Sequence, residues 1–127
     1  MKTIQTEKAP AAIGPYSQAI VSGGLLFTSG QIAIDPDTGT IAAEDITGQA
    51  EQACRNIAAL LEAAGTGFDR VVKTTCFLRD MADFAVFNAV YARYFVSSPA
   101  RSCVAVRELP KGALCEIEAV AELPEEV

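Results

Sequence analysis

The chain has 127 residues, half of them apolar, and carries ten basic against sixteen acidic side chains, a net charge of −6. This length fits one domain, residues 1–127, with a modest core. No apolar run approaches the roughly 20 residues of a membrane span, so we expect no membrane partner. The acidic balance argues against sequence-independent nucleic-acid binding, so we expect no nucleic-acid partner. The absence of histidine excludes Ser-His-Asp and Cys-His catalysis and zinc sites built on histidine. Proton transfer therefore has to use Glu, Asp, Tyr, Cys or Lys.

The first residues and the cysteines indicate the compartment. The start of the chain lacks a hydrophobic signal region, which predicts a cytoplasmic location. Four cysteines are scattered without a Cys-x-x-Cys pair, namely Cys54, Cys76, Cys103 and Cys115. In the cytoplasm such residues are most simply reduced thiols, and we expect them to lie largely in the core.

The first third of the chain predicts strands joined by loops. Residues 1–7 supply a short edge strand, and residues 9–18, with two prolines and a glycine, form an ordered loop. Residues 18–22 and 25–34 predict two strands of a hairpin, because the Gly-Gly pair between them is a typical two-residue turn.

Three residues in this region have two interpretations each. Gly30 inside a predicted strand indicates a bulge, or a place where a ligand or another backbone approaches closely. Ser29 is a ligand hydroxyl or, as its neighbours favour, a small strand residue. Tyr16 follows Gly-Pro and either packs as a loop anchor, which the sequence favours, or turns its hydroxyl toward a pocket.

The middle of the chain predicts two helices around a strand. Residues 45–64 have apolar side chains at helical spacing, with Asp45 as N-cap and Gly65 as the C-terminal stop. Residues 71–79 are rich in β-branched residues and predict a strand, after which Asp80 caps a second helix. That helix carries a stripe that we expect in the core, formed by Phe84, Phe87, Val90, Tyr91, Tyr94 and Phe95.

The last segment predicts two strands joined by a tight turn at residues 110–112. Side chains alternate along a strand, so Arg101 shares a face with Cys103, and Glu116 shares one with Glu118. A guanidinium and a carboxylate flank one sheet surface if the register brings Arg101 and Glu116 to a common face. The simpler interpretation is a surface ion pair contributing under about 1 kcal/mol.

Distance argues against a site built from one hairpin. In a regular hairpin Arg101 pairs near Val120, and Glu116 lies about 13 Å away along the strand. A bulge has to close that gap, or two subunits have to supply the two residues.

The predicted order is β-β-β-α-β-α-β-β, an α+β fold in which two helices cover one face of a six-stranded mixed sheet. The strand at 71–79 carries apolar side chains on both faces, with Val71 and Phe77 on one and Val72, Cys76 and Leu78 on the other. The face without helices therefore needs a cover, and self-association is the economical one. We expect an oligomer.

Several segments, together and in order, resemble the RidA (L-PSP) family of imine/enamine deaminases. The final pair, Pro-Ala-Arg-Ser-Cys and Glu-Ile-Glu-Ala, is the most specific. The matching segments are Ala9–Gln18, Ser29–Pro36 with Thr38-Gly39, Leu61–Gly65, Val72–Met81 leading to Asp83-Phe84 and Asn88-x-x-Tyr91, and Pro99–Cys103 with Glu116–Ala119.

This resemblance implies a chorismate-mutase-like fold and a homotrimer with three ligand sites in the clefts between subunits. It implies hydrolysis of reactive 2-imino acids, such as 2-iminobutanoate and 2-iminopropanoate, to 2-oxo acids and ammonia, without a cofactor or a metal. Such imines arise when pyridoxal-phosphate enzymes dehydrate threonine or serine.

The residue chemistry agrees with that activity. The planar fork of Arg101 can grip the substrate carboxylate bidentately, and Glu116 can take the proton of an oriented water. An imine carbon is already electrophilic, so no covalent nucleophile is needed. By resemblance, Cys103 and Gly30 lie at the site, Ser29 and Tyr16 line its pocket, and Asn88 lies near it.

Two positions depart from the family pattern. Ala105 stands where many relatives have Glu, and Cys115 where others often have an aliphatic residue or Lys. These changes affect the expected substrate preference and not the reaction. The alternative function is a non-catalytic trimer that binds small carboxylates or client proteins, and the net charge and lack of histidine make ribonuclease activity a weaker hypothesis.

Overall fold

The computed structural model describes residues 1–125 and shows an α+β fold. Its helices are α1, Ile46–Ala64, and α2, Phe84–Tyr94. Its strands are β1 Lys2–Ile4, β2 Ala19–Ser22, β3 Leu25–Thr28, β4 Ile34–Asp35, β5 Thr40–Ile41, β6 Val71–Leu78, β7 Ala100–Ala105 and β8 Cys115–Glu122. Short 3₁₀ turns occupy Phe68–Arg70, Met81–Asp83 and Pro110–Gly112.

The main sheet has six strands in the order β1-β2-β3-β8-β6-β7, and it is mixed because only β6 and β7 run parallel. The predicted α+β class, with two helices over a six-stranded mixed sheet, is confirmed. The short strands β4 and β5 form a separate antiparallel ribbon.

The predicted final hairpin is wrong, because β6 lies between β7 and β8. Helix α2 is a crossover that returns the chain to the start of β6, so β7 pairs parallel to β6 at the sheet edge. Residues 106–114 then carry the chain across β6 to its other side. Strand β8 is inserted between β3 and β6, and its buried side chains alternate with more exposed ones.

The long strand predicted over residues 25–34 is interrupted. Strand β3 ends at Thr28, Gln31 makes an isolated bridge to Ile117, and Ile34 already belongs to β4. The break at Gly30 lets the chain leave the sheet beside β8.

Both predicted caps of α1 are confirmed. Asp45 accepts a hydrogen bond from the Gly48 N–H, and Gly65 adopts the left-handed conformation with φ 81° that glycine tolerates best. Asp80 caps the 3₁₀ turn that leads into α2, and not α2 itself, which begins at Phe84.

A bulge in β6 changes which of its residues share a face. The pairing with β8 shifts between Val71 and Lys73, so Val72 is an extra residue. As a result Val71 and Cys76 both lie in the core, whereas Phe77 points to the other face. The predicted grouping of Val71 with Phe77 is therefore wrong, since the strict alternation on which it rests is broken at Val72.

The core lies between the helices and the sheet. Its largest fully buried apolar side chains are Phe87, Leu26, Ile57, Leu60, Leu61, Leu78 and Ile117. All four cysteines are free thiols, three buried and Cys103 half-buried, as predicted. Burial raises the pKa of Cys76 and Cys115 to about 12, so both are protonated at neutral pH.

The face of the sheet away from the helices is partly apolar. Phe27 and Val104 are 43% and 46% exposed on it, and Phe77 and Val120 lie on the same face. No helix within residues 1–125 has the length and hydropathy needed to cross a bilayer.

Candidate active site

Arg101 lies on the edge strand β7 and points toward α2. Its guanidinium carbon is 4.7 Å from the ring centre of Tyr91 and 5.5 Å from that of Phe84, and its Nη1 donates a hydrogen bond to Asn88 Oδ1 at 2.8 Å. Asn88 and Tyr91 are three residues apart on α2, a spacing that places both on the same side of a helix. The helix therefore holds the guanidinium from two directions.

The charge of Arg101 has no protein counter-ion in the described part of the chain, where the three salt bridges all involve other residues. Asn88 is neutral and accepts a hydrogen bond from one N–H of the guanidinium. The two aromatic rings accept no hydrogen bond from the other N–H groups. The remaining donors are available to an external anion, and a carboxylate matches their planar geometry. The structure therefore presents Arg101 as an anion-binding group.

Cys103 lies two residues further along β7 on the same face as Arg101. Burial raises the pKa of the Cys103 thiol above its ordinary 9.0, and the Arg101 guanidinium lowers it only in part. A thiol with a raised pKa is a poor nucleophile at neutral pH. The side chain of Cys103 therefore does not act as an activated thiolate.

Glu116 lies in a separate cleft of about 410 Å³, whose lining includes Tyr16, Gly30 and Gln18 together with several Ile and Pro side chains. The carboxyl group is half-buried. Burial raises the pKa of Glu116 above 4.5, and the neighbouring Glu118 raises it further. The cleft thus holds a carboxylate whose pKa is closer to neutrality, as a general base requires.

Gly30 makes room for this carboxylate. A Cβ at position 30 would lie 2.8 Å from Glu116 Cδ and 2.9 Å from Oε2, distances that real Cβ atoms do not adopt. The close approach predicted at Gly30 is made, within this chain, by the Glu116 side chain. Any larger residue would displace the carboxylate.

The side chains of Tyr16 and Ser29 have different environments. Tyr16 is 53% exposed and lines the Glu116 cleft, which favours the pocket interpretation over the loop anchor. Ser29 Oγ donates to the Ser17 carbonyl, and its N–H donates to the Gln18 carbonyl. Ser29 thus joins the Tyr16 loop to the end of β3, and the hydrogen of its hydroxyl is engaged in this contact.

Three buried amide side chains form hydrogen bonds to the backbone around the cleft, and none of them was predicted as a site residue. Gln18 donates to the carbonyls of Thr6, Ala9 and Pro10 and accepts from the Thr6 N–H. Asn56, fully buried, donates to the carbonyls of Ile32 and Ile34, which belong to the cleft lining.

The third of these residues, Gln49, donates to the Ala43 carbonyl and accepts from the Leu114 N–H just before β8. Gln49 and Asn56 could have been found as polar residues on the buried face of α1. A polar side chain at a core position requires a buried partner.

The structure thus forms two groups of predicted site residues, which do not meet within one chain. Arg101, Asn88 and Cys103 lie on the helix side of the sheet, and Glu116, Gly30 and Tyr16 around the cleft on the other side. The register places Arg101 opposite Thr74, and Thr74 opposite Ala119, three residues from Glu116. Three residues along and two strands across correspond to about 14 Å between the Cα atoms. The common face on which the ion-pair hypothesis depended is therefore absent.

Among residues 1–125, no three or more Cys, Asp or Glu side chains cluster in a way that could hold a metal ion.

Comparison with known proteins identifies the family. A family model described as Endoribonuclease L-PSP matches residues 6–123. The RutC family protein slr0709 of Synechocystis is 56% identical over 127 residues, which cover 98% of each chain. A 2-iminobutanoate/2-iminopropanoate deaminase of Salmonella typhimurium is 52% identical over 124 residues, covering 94% of this chain and 96% of its own.

A solved structure agrees with the sequence comparisons. The crystal structure of E. coli TdcF with bound serine has a TM-score of 0.92 to this chain, with 44% sequence identity, and covers 98% of this chain and 100% of its own. Sequence and fold together therefore confirm the resemblance: the chain belongs to the RidA (L-PSP) family.

Proposed function

We propose that this protein hydrolyses reactive 2-imino acids, 2-iminobutanoate and 2-iminopropanoate, to 2-oxo acids and ammonia without a cofactor. The observation that supports this proposal is a pair of complementary groups: the Arg101 guanidinium, which has no counter-ion in the described part of the chain, and the half-buried carboxylate of Glu116. We call the surroundings of each group a half-site. The Salmonella relative at 52% identity bears the name of this activity. A group that binds the carboxylate and a base that takes a proton from water are the groups that the hydrolysis of a 2-imino acid needs.

Arg101 binds the substrate carboxylate in this proposal. Its free N–H groups form two parallel hydrogen bonds to the carboxylate oxygens, while the hydrogen bond to Asn88 restrains one nitrogen of the fork. This interaction places the imine carbon at a set distance from the guanidinium. Binding therefore also orients the carbon that water attacks.

Glu116 activates the water. The carboxylate takes one proton as the water oxygen bonds to the imine carbon, the electron pair of the C=N bond passes to nitrogen, and Glu116 returns the proton to that nitrogen. In the resulting carbinolamine the hydroxyl proton passes through Glu116 to the departing nitrogen as the C–N bond breaks, and a 2-oxo acid and ammonia are formed. The base is regenerated, so nothing is consumed besides water and the imine.

The two half-sites meet between neighbouring subunits of a homotrimer. Arg101 and Glu116 lie on opposite sides of the sheet, and no bulge in β7 or β8 brings them together. The partly apolar face that includes Phe27 and Val104 is the surface that other copies of the chain cover. One subunit then supplies Arg101, and its neighbour supplies Glu116.

A coupled assay tests the activity. Threonine dehydratase generates 2-iminobutanoate in situ, and the release of 2-oxobutanoate is followed with and without this protein. We expect acceleration by the wild type and none by Arg101→Ala or Glu116→Gln. Arg55→Ala and Glu62→Gln, exposed charges on α1, are matched controls that retain activity. Full activity of Arg101→Ala would refute the assignment.

A non-catalytic role in binding small carboxylates is the second candidate. It is favoured by the relative TdcF, whose structure contains serine, an amino carboxylate. In that case Arg101→Ala abolishes ligand binding, Glu116→Gln leaves it unchanged, and the wild-type protein does not accelerate the release of 2-oxobutanoate.

A further inference from the structure

A chain of contacts connects Arg101 to the core. Thr74, 1% exposed on β6, lies opposite Arg101 in the register, and its Oγ1 is 2.7 Å from the Tyr91 hydroxyl. The Tyr91 ring stacks on Phe95 with 4.3 Å between ring centres and 16° between planes. Its position is therefore set at both its hydroxyl end and one face.

The Tyr91 ring in turn supports the guanidinium. The guanidinium carbon of Arg101 lies 4.7 Å from the ring centre, within the range in which the π face attracts a cation. A single hydrogen bond to Asn88 Oδ1 restrains one nitrogen of the guanidinium but leaves rotation about that bond. The contact with the Tyr91 ring restricts this remaining freedom.

Tyr91 also stays neutral. Burial raises the pKa of the Tyr91 hydroxyl above its ordinary 10.0, although its hydrogen bond to Thr74 lowers it in part. The phenol therefore contributes no negative charge that would compete with a bound carboxylate for the guanidinium. Its contribution comes from the shape and the π electrons of the ring.

We propose that Tyr91 is a positioning residue for the carboxylate-binding arginine, with Thr74 fixing the ring that holds Arg101. The inference rests on the proposed function, in which Arg101 binds the substrate carboxylate. Ordering the fork before the ligand arrives removes a conformational cost from binding. Tyr91 therefore acts on substrate affinity through Arg101 and does not touch the reacting atoms.

The other aromatic residues of α2 show that this role differs from core packing. Phe87 is as deeply buried as any residue of the stripe. It packs against the Tyr91 ring, with 5.9 Å between ring centres, but it is not one of the two rings over the guanidinium. Phe84 lies farther from the guanidinium, at 5.5 Å. Phe87 is therefore a matched control for the loss of an aromatic side chain from the same helix.

The test compares Tyr91→Leu, Tyr91→Phe and Phe87→Leu in the coupled assay, with thermal unfolding measured for each. We expect Tyr91→Leu to raise KM by about 3- to 30-fold with a smaller change in kcat. Tyr91→Phe keeps the ring but loses the hydrogen bond to Thr74, so we expect a smaller rise of KM, up to about threefold. Phe87→Leu lowers the unfolding temperature but leaves KM unchanged. An equal rise of KM in Tyr91→Leu and Phe87→Leu would overturn the proposal.

A binding measurement separates this inference from the proposed reaction. Titration calorimetry with 2-oxobutanoate, a stable carboxylate, reports on Arg101 without any turnover. If the wild type binds 2-oxobutanoate but does not accelerate the hydrolysis, the proposed activity fails, and weaker binding by Tyr91→Leu alone still supports the positioning role. Absence of binding to the wild type overturns the role of Tyr91.

Discussion

Mixing two inactive variants tests where the active site is built. The Arg101→Ala subunit retains Glu116, and the Glu116→Gln subunit retains Arg101. If each site takes Arg101 from one subunit and Glu116 from its neighbour, a mixed oligomer contains complete sites. Each variant alone contains none.

The expected recovery follows from the geometry. Arg101 and Glu116 point to opposite sides of the sheet, with about 14 Å between their Cα atoms, so a closed ring has one site at each interface. In a random equimolar mixture an interface has about one chance in two of an intact arginine and about the same chance of an intact glutamate. Roughly a quarter of the wild-type activity should return, whatever the ring size.

The two variants are co-expressed with different affinity tags, purified through both tags and assayed with 2-iminobutanoate. The purification removes unmixed oligomers, so the measured value should exceed that of the random mixture. Arg101→Ala mixed with the double variant Arg101→Ala/Glu116→Gln is the control, because it contains no complete site.

The absence of any recovery in mixed oligomers would refute the two-subunit site. It would mean that each chain supplies both residues of its own site, in conflict with the register of β7 and β8. Analytical ultracentrifugation of the wild type measures the subunit number independently, and a stable monomer at micromolar concentration contradicts the trimer.

Three further predictions concern the Glu116 cleft. Gly30→Ala places a Cβ 2.8 Å from Glu116 Cδ. We therefore expect kcat to fall on the order of 10²-fold while thermal unfolding stays near normal. A normal kcat would contradict the role of Gly30. The pKa of Glu116 is raised by burial, so its ionisation destabilises the folded state. Glu116→Gln should therefore unfold at higher denaturant than the wild type at pH 7, and the difference should vanish as the pH falls below 4.5; a constant difference across this range would disprove it. Gln18→Leu leaves the backbone carbonyls that Gln18 contacts without their hydrogen-bond donor. It should lower the free energy of unfolding by roughly 2–3 kcal/mol, measured by urea denaturation. An unchanged midpoint would show that water replaces the amide.

The sequence by itself determined the elements whose signals are local. Helix α1 begins after Asp45 and ends before Gly65 because a side-chain acceptor and a residue free to adopt positive φ are needed at those places. Strand β8 follows the alternation predicted from its residues. The exclusion of histidine chemistry and the choice of Arg101 and Glu116 also needed only the sequence.

Tertiary structure alone decided how these elements combine. Strand β8 inserts between β3 and β6, and this insertion sets the face of Glu116 relative to that of Arg101. The bulge at Val72 reverses the alternation within β6. Neither has a local signal, because strand pairing depends on which distant segments together bury the most apolar surface with every backbone group paired. The sequence therefore named the two candidate side chains, and only the fold showed that one chain keeps them apart.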